Sequence, residues 1–226
     1  MIKAVLFDFD GVIADSERLQ VEAEQSAAAA MATEMAMELD MEGIDWTKFR
    51  GWARLKIAAE LFGVEPEHEI AEDYRLRVVD HTLEVMGDHN LSHIDGIRPF
   101  LVHTRWHLGN LAIATSSHRR ILDSALDFLD LGSYFTDTVA NREALDDKPG
   151  PGQYAELMRR ANLRPDETLV IEDSASGITA GRFAGATVLA IATTKSADFL
   201  QSQTGAHMVA ENYEQAVHLI DPLLPR

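Results

Sequence analysis

Two aspartates, Asp8 and Asp10, stand directly behind an apolar run at residues 4–7, near the start of the chain. The run predicts a buried strand of a parallel sheet, and the alternation of side chains along a strand places both aspartates on one side. Two carboxylates in that position repel each other unless a cation or a proton lies between them. Gly11 follows, and its backbone freedom allows a sharp turn close to a ligand. The stretch therefore predicts a charged site at the end of a central strand.

The rest of the chain divides into a helical part and a part in which strands and helices alternate. A helix is predicted over residues 16–39, and helical patterns continue to about residue 90. Beyond that point short apolar runs alternate with helices, which predicts a doubly wound parallel sheet. We therefore expect an α/β fold with a Rossmann-like core domain, residues 1–15 plus 91–226, and an inserted all-helical domain, residues 16–90.

The composition limits the partners of this chain. Its 226 residues are 46% hydrophobic and 25% charged, as in an ordinary globular protein. The formal net charge of −17 and the lack of a basic run argue against nucleic acid or an anionic membrane as a partner. Without cysteine, neither a disulfide nor a thiolate site can form. No apolar run could cross a membrane, and the first aspartate comes too early for a signal peptide. We expect a cytoplasmic monomer or homodimer.

Three further segments place polar groups at strand ends or in loops between strands. The stretch Thr115–Ser117 follows a predicted strand, and hydroxyl and N–H groups at a helix start can bind an anion. A second acidic pair, Glu172 and Asp173, follows another predicted strand. Lys148 precedes a proline, which favours an extended loop from which the lysine can reach inward. Each feature alone has an ordinary explanation, such as a helix cap or a surface lysine. Together they predict metal-assisted phosphoryl transfer.

This set of motifs resembles the haloacid dehalogenase superfamily of phosphohydrolases. Residues 8–12 (Asp-Phe-Asp-Gly-Val) are similar to its first motif, and Thr115 at the end of Leu-Ala-Ile-Ala-Thr is similar to its second. Lys148 in Lys-Pro-Gly-Pro resembles the third motif, and residues 172–174 followed by 177–178 resemble the fourth. The resemblance covers about residues 3–192. The helical insert after the first motif resembles the small helical cap of the β-phosphoglucomutase-like branch.

The resemblance implies a role for each acidic residue. Asp8 would be the nucleophile that forms an aspartyl-phosphate, and Asp10 would protonate the leaving oxygen and then deprotonate water. The implied cofactor is Mg²⁺, which prefers hard oxygen ligands. Its ligands would be the Asp8 carboxylate, the Asp10 backbone carbonyl and the Asp173 carboxylate, while Glu172 would act near the metal through water.

The resemblance also implies which groups bind the phosphate. Thr115, the Ser116 backbone and Lys148 would hold the phosphate oxygens. Residues 51–54 (Gly-Trp-Ala-Arg) resemble a loop of that branch that carries a phosphate-binding arginine, which here would be Arg54.

Two positions depart from the family pattern. Gly152 stands where the third motif usually has an aspartate that would cap a helix, and glycine is a tolerable substitute there. Gln20 stands where β-phosphoglucomutases have a histidine that helps to control the acid/base aspartate.

The sequence therefore predicts a Mg²⁺-dependent phosphatase that acts on a small phosphorylated metabolite, such as a sugar or polyol phosphate. A phosphomutase using the same aspartyl-phosphate is the first alternative. A dehalogenase would have no need of Asp10, Glu172 or Mg²⁺. A non-catalytic binding protein on this fold would be expected to have lost one of the four motifs, and none is lost.

Overall fold

The structure, a computed structural model, describes residues 1–49, 52–87 and 91–225. The chain forms two compact units, one made of Met1–Asp15 and Ser92–Arg226 and the other of Ser16–Leu91. The strands are β1 (Ala4–Phe7), β2 (Ala14–Asp15), β3 (Ser92–His93), β4 (Asn110–Ala114), β5 (Asp137–Val139), β6 (Thr168–Glu172), β7 (Thr187–Ile191) and β8 (Met208–Ala210). The helices are α1 (Glu17–Glu34), α2 (Arg54–Phe62), α3 (Glu69–Gly87), α4 (Ile97–His107), α5 (Arg119–Phe128), α6 (Gly152–Arg160), α7 (Ala175–Phe183), α8 (Ala197–Gln203) and α9 (Tyr213–Ile220).

The first unit is built on a six-stranded sheet in the order β5-β4-β1-β6-β7-β8. Every neighbouring pair of these strands is parallel, so the predicted α/β fold with a doubly wound parallel sheet is confirmed. The apolar strand β1 is central and buried on both faces. In the register, Phe7 lies opposite Ile113 on one side and Ile171 on the other. The residues that follow these three therefore meet at one edge of the sheet.

Apolar side chains on one face of the sheet form the core against α6 and α7. Leu6, Val170 and Val188 of the strands pack with Tyr154 of α6 and Ile178 of α7, all of them buried. This core holds the first turns of both helices against the sheet, next to the strand ends that carry the candidate site.

The second unit packs three helices around its own apolar core. Small residues of α1 allow close approach to α3, whose Tyr74 and Val78 are fully buried. Helix α1 ends at Glu34 and not at residue 39 as predicted, because Ala36 has a left-handed φ of +49° that a helix cannot continue through. Met35, just before it, is 42% exposed. Ser16, which precedes α1, makes no capping hydrogen bond through its side chain, and its Oγ accepts one from Gln20 Nε2 at 3.2 Å.

Four elements were not predicted from the sequence, namely β2, β3, α8 and α9. Strands β2 and β3 form a small antiparallel pair where the chain leaves and re-enters the first unit. Helices α8 and α9 follow β7 and β8 and complete the strand–helix alternation.

Within the described part of the chain, the helices fall short of the length and apolar character that crossing a membrane requires.

Candidate active site

The first motif turns sharply after β1 and places its acids at the sheet edge. The backbone N–H of Asp8 donates to Ile171 O at 3.0 Å, which extends the pairing with β6 by one residue. Gly11 has φ +75°, and an added Cβ would collide with the Asp173 carboxylate and lie 2.8 Å from Thr194 Cγ2. Only glycine therefore fits at this turn, because both the conformation and the close approach exclude a side chain.

Lys148 reaches into the edge of the sheet from the loop before α6. Its Nζ donates to Asp8 Oδ1 at 2.5 Å, to Glu172 Oε1 at 2.7 Å and to Ala114 O at 2.9 Å. The side chain is only 5% exposed. All three donors of the ammonium group are thus used, by groups on three adjacent strands or directly behind them. The inward position predicted for this lysine matches the structure.

Burial and crowding shift the pKa values of this cluster. Burial raises the pKa of Asp8 well above its ordinary value and Glu172 and Asp173 raise it further, while the Lys148 ammonium opposes them. Burial, followed by repulsion from Glu172, raises the pKa of Asp173 to about 7. Burial alone would lower the pKa of Lys148, but the carboxylates of Asp8 and Glu172 raise it above its usual value. Lys148 therefore stays protonated, and it is the group that favours an ionised Asp8.

Glu172 is fixed by hydrogen bonds from every side. Its Oε1 accepts from the Tyr154 hydroxyl at 2.8 Å, and its Oε2 accepts from Ser174 Oγ at 3.1 Å and from the N–H of Asp173 at 3.2 Å. A Cβ on Gly177 would overlap the Glu172 carboxylate. These contacts explain why the fourth motif needs a small residue at position 177.

Three carboxylates in this cluster could hold a metal ion. One oxygen each of Asp8, Glu172 and Asp173 lies within 4.8 Å of the others, and all three residues are buried. The set fits Mg²⁺ because it consists of hard oxygen donors. Three acids facing the single ammonium of Lys148 also leave negative charge that a divalent cation would neutralise. Asp173 is oriented by Thr194 Oγ1, which donates to its Oδ2 at 2.5 Å.

Hydroxyl groups at the end of β4 contact Asp10, the candidate acid and base. Ser117 Oγ donates to Asp10 Oδ2 at 2.6 Å, and Thr115 Oγ1 lies 3.5 Å from the same oxygen. Thr115 Oγ1 also accepts the N–H of Ser117 at 3.0 Å. Ser116 is exposed beside them. The structure therefore brings Thr115 and Asp10 together as predicted and adds Ser117 as the closest hydroxyl to Asp10.

The helix that follows the third motif is capped by a residue that is not part of the motif. The N–H of Gly152, the first of α6, donates to Asp146 Oδ1 at 2.6 Å, so Asp146 satisfies the start of this helix. The buried side chain of Gln153 donates to Thr115 O at 2.8 Å and to Asp147 Oδ1 at 3.0 Å. Gln153 thus connects the loop before Lys148 to the end of β4.

Sequence reasoning missed Gln153, Tyr154 and Thr194. Thr194 could have been found, because it follows the end of β7 as the other site residues follow β1, β4 and β6. Gln153 and Tyr154 lie in the first turn of α6. A search of the positions that follow strands does not find residues inside a helix.

The candidate residues of the second unit form a separate polar group. Arg54 begins α2, while Gly51 of the predicted phosphate-binding loop lies outside the described residues. Arg54 faces Glu24 of α1, which is 9% exposed. Burial raises the pKa of Glu24 to about 7, and the Arg54 charge only partly opposes this. The Tyr74 hydroxyl donates to Glu24 O at 3.3 Å and so does not satisfy the Glu24 carboxylate.

Comparisons with known proteins agree with this geometry. The haloacid dehalogenase-like hydrolase family matches residues 5–202. A phosphorylated carbohydrates phosphatase of Thermotoga maritima is 30% identical over 81% of this chain and 82% of its own. Phosphoglycolate phosphatase 1 of Pseudomonas aeruginosa is 27% identical over 81% of this chain and 66% of its own. A Thermotoga maritima crystal structure, provisionally named a β-phosphoglucomutase, has 25% identity and a TM-score of 0.73 over 99% of this chain and all of its own.

We predict that Lys148→Met destabilises the protein by about 3–5 kcal/mol in the presence of a chelator, because the buried carboxylates of Asp8 and Glu172 lose the cation that pairs with both. Excess Mg²⁺ should restore part of that loss, since a divalent ion supplies the missing charge. Denaturant unfolding with and without Mg²⁺ measures both effects. Lys195→Met, which removes an exposed lysine, is the control. Equal stability of the two variants would contradict the paired role of Lys148.

We predict that Glu24→Gln stabilises the protein more at pH 8 than at pH 5. Between the ordinary pKa of 4.5 and the folded value of about 7, the folded wild type keeps a proton that the unfolded chain has lost. The free energy of unfolding of the wild type therefore falls as pH rises through this window, and the glutamine variant avoids that loss, on the order of 2 kcal/mol. Fluorescence of Trp46 and Trp52 reports unfolding of this unit.

The control for this prediction is Glu22→Gln, an exposed glutamate on the same helix. Its stability relative to the wild type should not change with pH. A pH-independent effect of Glu24→Gln would show that the Glu24 carboxyl is not perturbed by burial.

Proposed function

Because the chain belongs to the haloacid dehalogenase-like hydrolase family and is a hydrolase of phosphate monoesters, we propose that it is a Mg²⁺-dependent phosphatase of small sugar or polyol phosphates. The reaction proceeds through an aspartyl-phosphate on Asp8. The observation that carries this proposal is the Asp8 carboxylate, held at 2.5 Å by a buried lysine and flanked by Glu172 and Asp173. The similarity to a phosphatase of phosphorylated carbohydrates supports the substrate class.

In the first step an Asp8 carboxylate oxygen attacks phosphorus. A bond forms between that oxygen and phosphorus while the bond from phosphorus to the ester oxygen breaks. Burial raises the pKa of Asp8, and the Lys148 ammonium at 2.5 Å opposes that rise and so favours the charged form that attacks. The leaving oxygen takes its proton from Asp10.

In the second step Asp10 takes a proton from a water molecule, and the resulting hydroxide attacks the phosphoryl group on Asp8. Cleavage of the acyl phosphate releases inorganic phosphate and returns the Asp8 carboxylate. Ser117 orients Asp10 through the 2.6 Å hydrogen bond to its Oδ2. One carboxyl group thus acts as acid and then as base because the two steps need opposite proton transfers.

The phosphate oxygens have donors of two kinds. The Thr115 hydroxyl, the Ser116 N–H and the Lys148 ammonium bind them, and preorganised donors of this kind stabilise the charge of the transition state. The carboxylates of Asp8 and Asp173 and the backbone carbonyl of Asp10 would hold Mg²⁺, and Glu172 would act near the ion through water. When bound, the ion neutralises charge on the transferring group and lets the acids remain ionised beside it.

A phosphomutase is the second candidate, supported by the structural similarity to a protein provisionally named a β-phosphoglucomutase. Gln20 weighs against it. Its amide does not titrate, and it donates to Ser16 Oγ at 3.2 Å. An amide at this position cannot gate Asp10 by gaining or losing a proton, so water is the expected acceptor.

The helical domain, the cellular location and the oligomeric state are also matters of proposal. We propose that residues 16–90 act as the cap domain, and that Arg54 binds the part of the substrate remote from the transferred phosphoryl group. A cytoplasmic location and a monomeric or homodimeric state are proposed from the composition.

Asp8→Asn should lower phosphate release by at least about 10³-fold, because the amide keeps the shape but lacks the attacking charge. Phosphate release from sugar phosphates, with circular dichroism to verify folding, measures this. Mass spectrometry after acid quenching should show a phosphorylated wild type and an unmodified variant. Asp127→Asn, at an exposed position, is the matched control. Substantial turnover by Asp8→Asn would exclude covalent catalysis at this residue.

Chelation should abolish activity, and Mg²⁺ should restore it. Mg²⁺ should also raise the melting temperature of the wild type, because it binds only the folded site. Asp173→Asn should lose that thermal shift, whereas Asp198→Asn, at an exposed position, should keep it. Full activity in excess chelator would rule out the metal requirement.

A further inference from the structure

The peptide unit between Thr115 and Ser116 is hydrogen-bonded at one end only. Its carbonyl oxygen accepts from Gln153 Nε2 at 2.8 Å. The Ser116 N–H at the other end has no acceptor within the part of the chain that the structure describes, and Ser116 is exposed. This N–H is one of the groups that the proposed function assigns to a phosphate oxygen. Its direction therefore bears on the reaction.

The preceding peptide unit, between Ala114 and Thr115, is used at both ends. Its carbonyl accepts from Lys148 Nζ at 2.9 Å. Its N–H donates to Val139 O at 2.9 Å, which continues the pairing of β4 with β5 by one residue. Of the two peptide units that flank Thr115, the second is therefore the one that keeps a donor for a ligand.

A planar trans peptide turns a hydrogen bond at its carbonyl into a fixed direction for its N–H. The two groups of one trans unit point in opposite directions, and the peptide between Thr115 and Ser116 is trans. Gln153 is fully buried. Because the Thr115 carbonyl points toward this buried amide, the Ser116 N–H points away from the core. A hydrogen bond at the carbonyl also polarises the peptide unit, which makes its N–H a stronger donor.

The side-chain amide of Gln153 is itself held in one orientation. Its Nε2 also donates to Asp147 Oδ1 at 3.0 Å and to Ala140 O at 3.4 Å. A rotation of the amide by half a turn would place Oε1, which only accepts hydrogen bonds, against these oxygens. In the observed orientation Oε1 is buried without a hydrogen bond to any described residue, which lowers stability. A buried polar group kept at such a cost is expected where its other hydrogen bonds have a role.

We propose that Gln153 is a positioning residue for phosphoryl transfer, which holds the Thr115 carbonyl and thereby aims and strengthens the Ser116 N–H as a donor to the phosphoryl oxygens. This inference rests on the proposed function and adds to it a residue that does not touch the substrate. A donor that is already aimed needs no reorganisation when charge develops in the transition state. Its effect therefore falls on kcat more than on KM.

Gln153→Met tests this role, because methionine has a similar length and suits a buried position but cannot donate a hydrogen bond. In the presence of Mg²⁺, kcat for p-nitrophenyl phosphate should fall by at least about tenfold, while KM should change by less than about threefold. Thermal unfolding verifies folding. If this variant does not fold, Gln153→Asn takes its place, since it keeps the amide but shortens the side chain by one methylene group.

Asn141→Ala is the matched control. Asn141 Nδ2 donates to Asp147 Oδ2 at 2.9 Å, so its removal loosens the loop before Lys148 without changing the bond to the Thr115 carbonyl. The kcat of this control should stay within about threefold of the wild type. An equal loss in Asn141→Ala and Gln153→Met would show that the loop as a whole matters, and the proposed role of Gln153 would be wrong.

A double-substitution cycle shows whether Gln153 acts through the Ser116 N–H. Replacing the peptide between Thr115 and Ser116 by an ester removes this N–H and keeps both side chains. The ester alone should lower kcat by about 10²–10³-fold. Adding Gln153→Met to the ester protein should lower kcat by less than about threefold more, because the group that Gln153 positions is gone. Losses that multiply would mean that Gln153 acts through another group, which overturns the proposal.

Nuclear magnetic resonance gives a readout that does not depend on turnover. The ¹⁵N shift of an amide responds to hydrogen bonding at the preceding carbonyl, so Gln153→Met should move the Ser116 signal. It should also reduce the change that inorganic phosphate causes at the Ser116 N–H in the presence of Mg²⁺. Asn141→Ala should leave both unchanged. A Ser116 signal that responds to phosphate equally in folded Gln153→Met and in the wild type would contradict the positioning role.

The positioning role and the proposed function fail in different ways. If the wild type hydrolyses p-nitrophenyl phosphate and Gln153→Met is equally active, the positioning role is wrong and the phosphatase stands. If no phosphate ester is hydrolysed in the presence of Mg²⁺, the proposed function fails, and the positioning role fails with it.

Discussion

A buried ammonium group between two buried carboxylates is the interaction on which the site depends. Lys148 binds Asp8, Glu172 and the carbonyl of Ala114, which belong to the ends of β1, β6 and β4. Burial raises the pKa of Asp8 and the neighbouring acids raise it further, and Lys148 is the charge that opposes this rise. A single side chain from a loop therefore joins three strand ends and also favours the ionised form of the reactive group. The register of the sheet makes this possible, because Phe7, Ile113 and Ile171 are aligned and the residues behind them must meet.

The buried acidic residues differ in how many hydrogen bonds their carboxylates accept. This difference distinguishes the acids with a structural role from those with a chemical role. Glu172 accepts bonds at both oxygens from Tyr154, Ser174 and the backbone, so its position is fixed. Asp173 has a hydroxyl partner at one oxygen, and its pKa of about 7 indicates an unmet need for positive charge. Glu24 has no such partner within the described ranges. Carboxylates that are buried and incompletely bonded are the ones for which a metal ion, a substrate or a proton has a role.

The sequence predicted the sheet and the four strand-end motifs because both follow from local patterns. Apolar runs bounded by acids or hydroxyls mark the parallel strands, and a parallel sheet gathers their carboxyl ends at one edge. Helix ends were predicted less well. Nothing in the alanine-rich sequence of α1 shows that Ala36 would take a left-handed conformation and end the helix. The roles of Gln153 and Tyr154 were not predictable, since they depend on how the first turn of α6 packs beside β4 and β6. Asp146, which accepts the first N–H of that helix, is recognisable only once the loop is folded.

Glu24 and Arg54 illustrate why features of the helical unit are harder to predict from the sequence than the motifs of the sheet. The two residues are thirty positions apart on different helices, and each is unremarkable in the sequence. A helix pattern predicts that position 24 faces the core of its unit, where a glutamate is an anomaly and an alanine or leucine is expected. The anomaly becomes informative only when the structure shows the facing charge and the missing hydrogen bonds. The sheet register places the acids at the strand ends, whereas helix packing brings Glu24 and Arg54 together, and helix packing leaves no fixed spacing in the chain. A buried charge on an apolar helix face is therefore the sequence signal to look for in such an inserted domain.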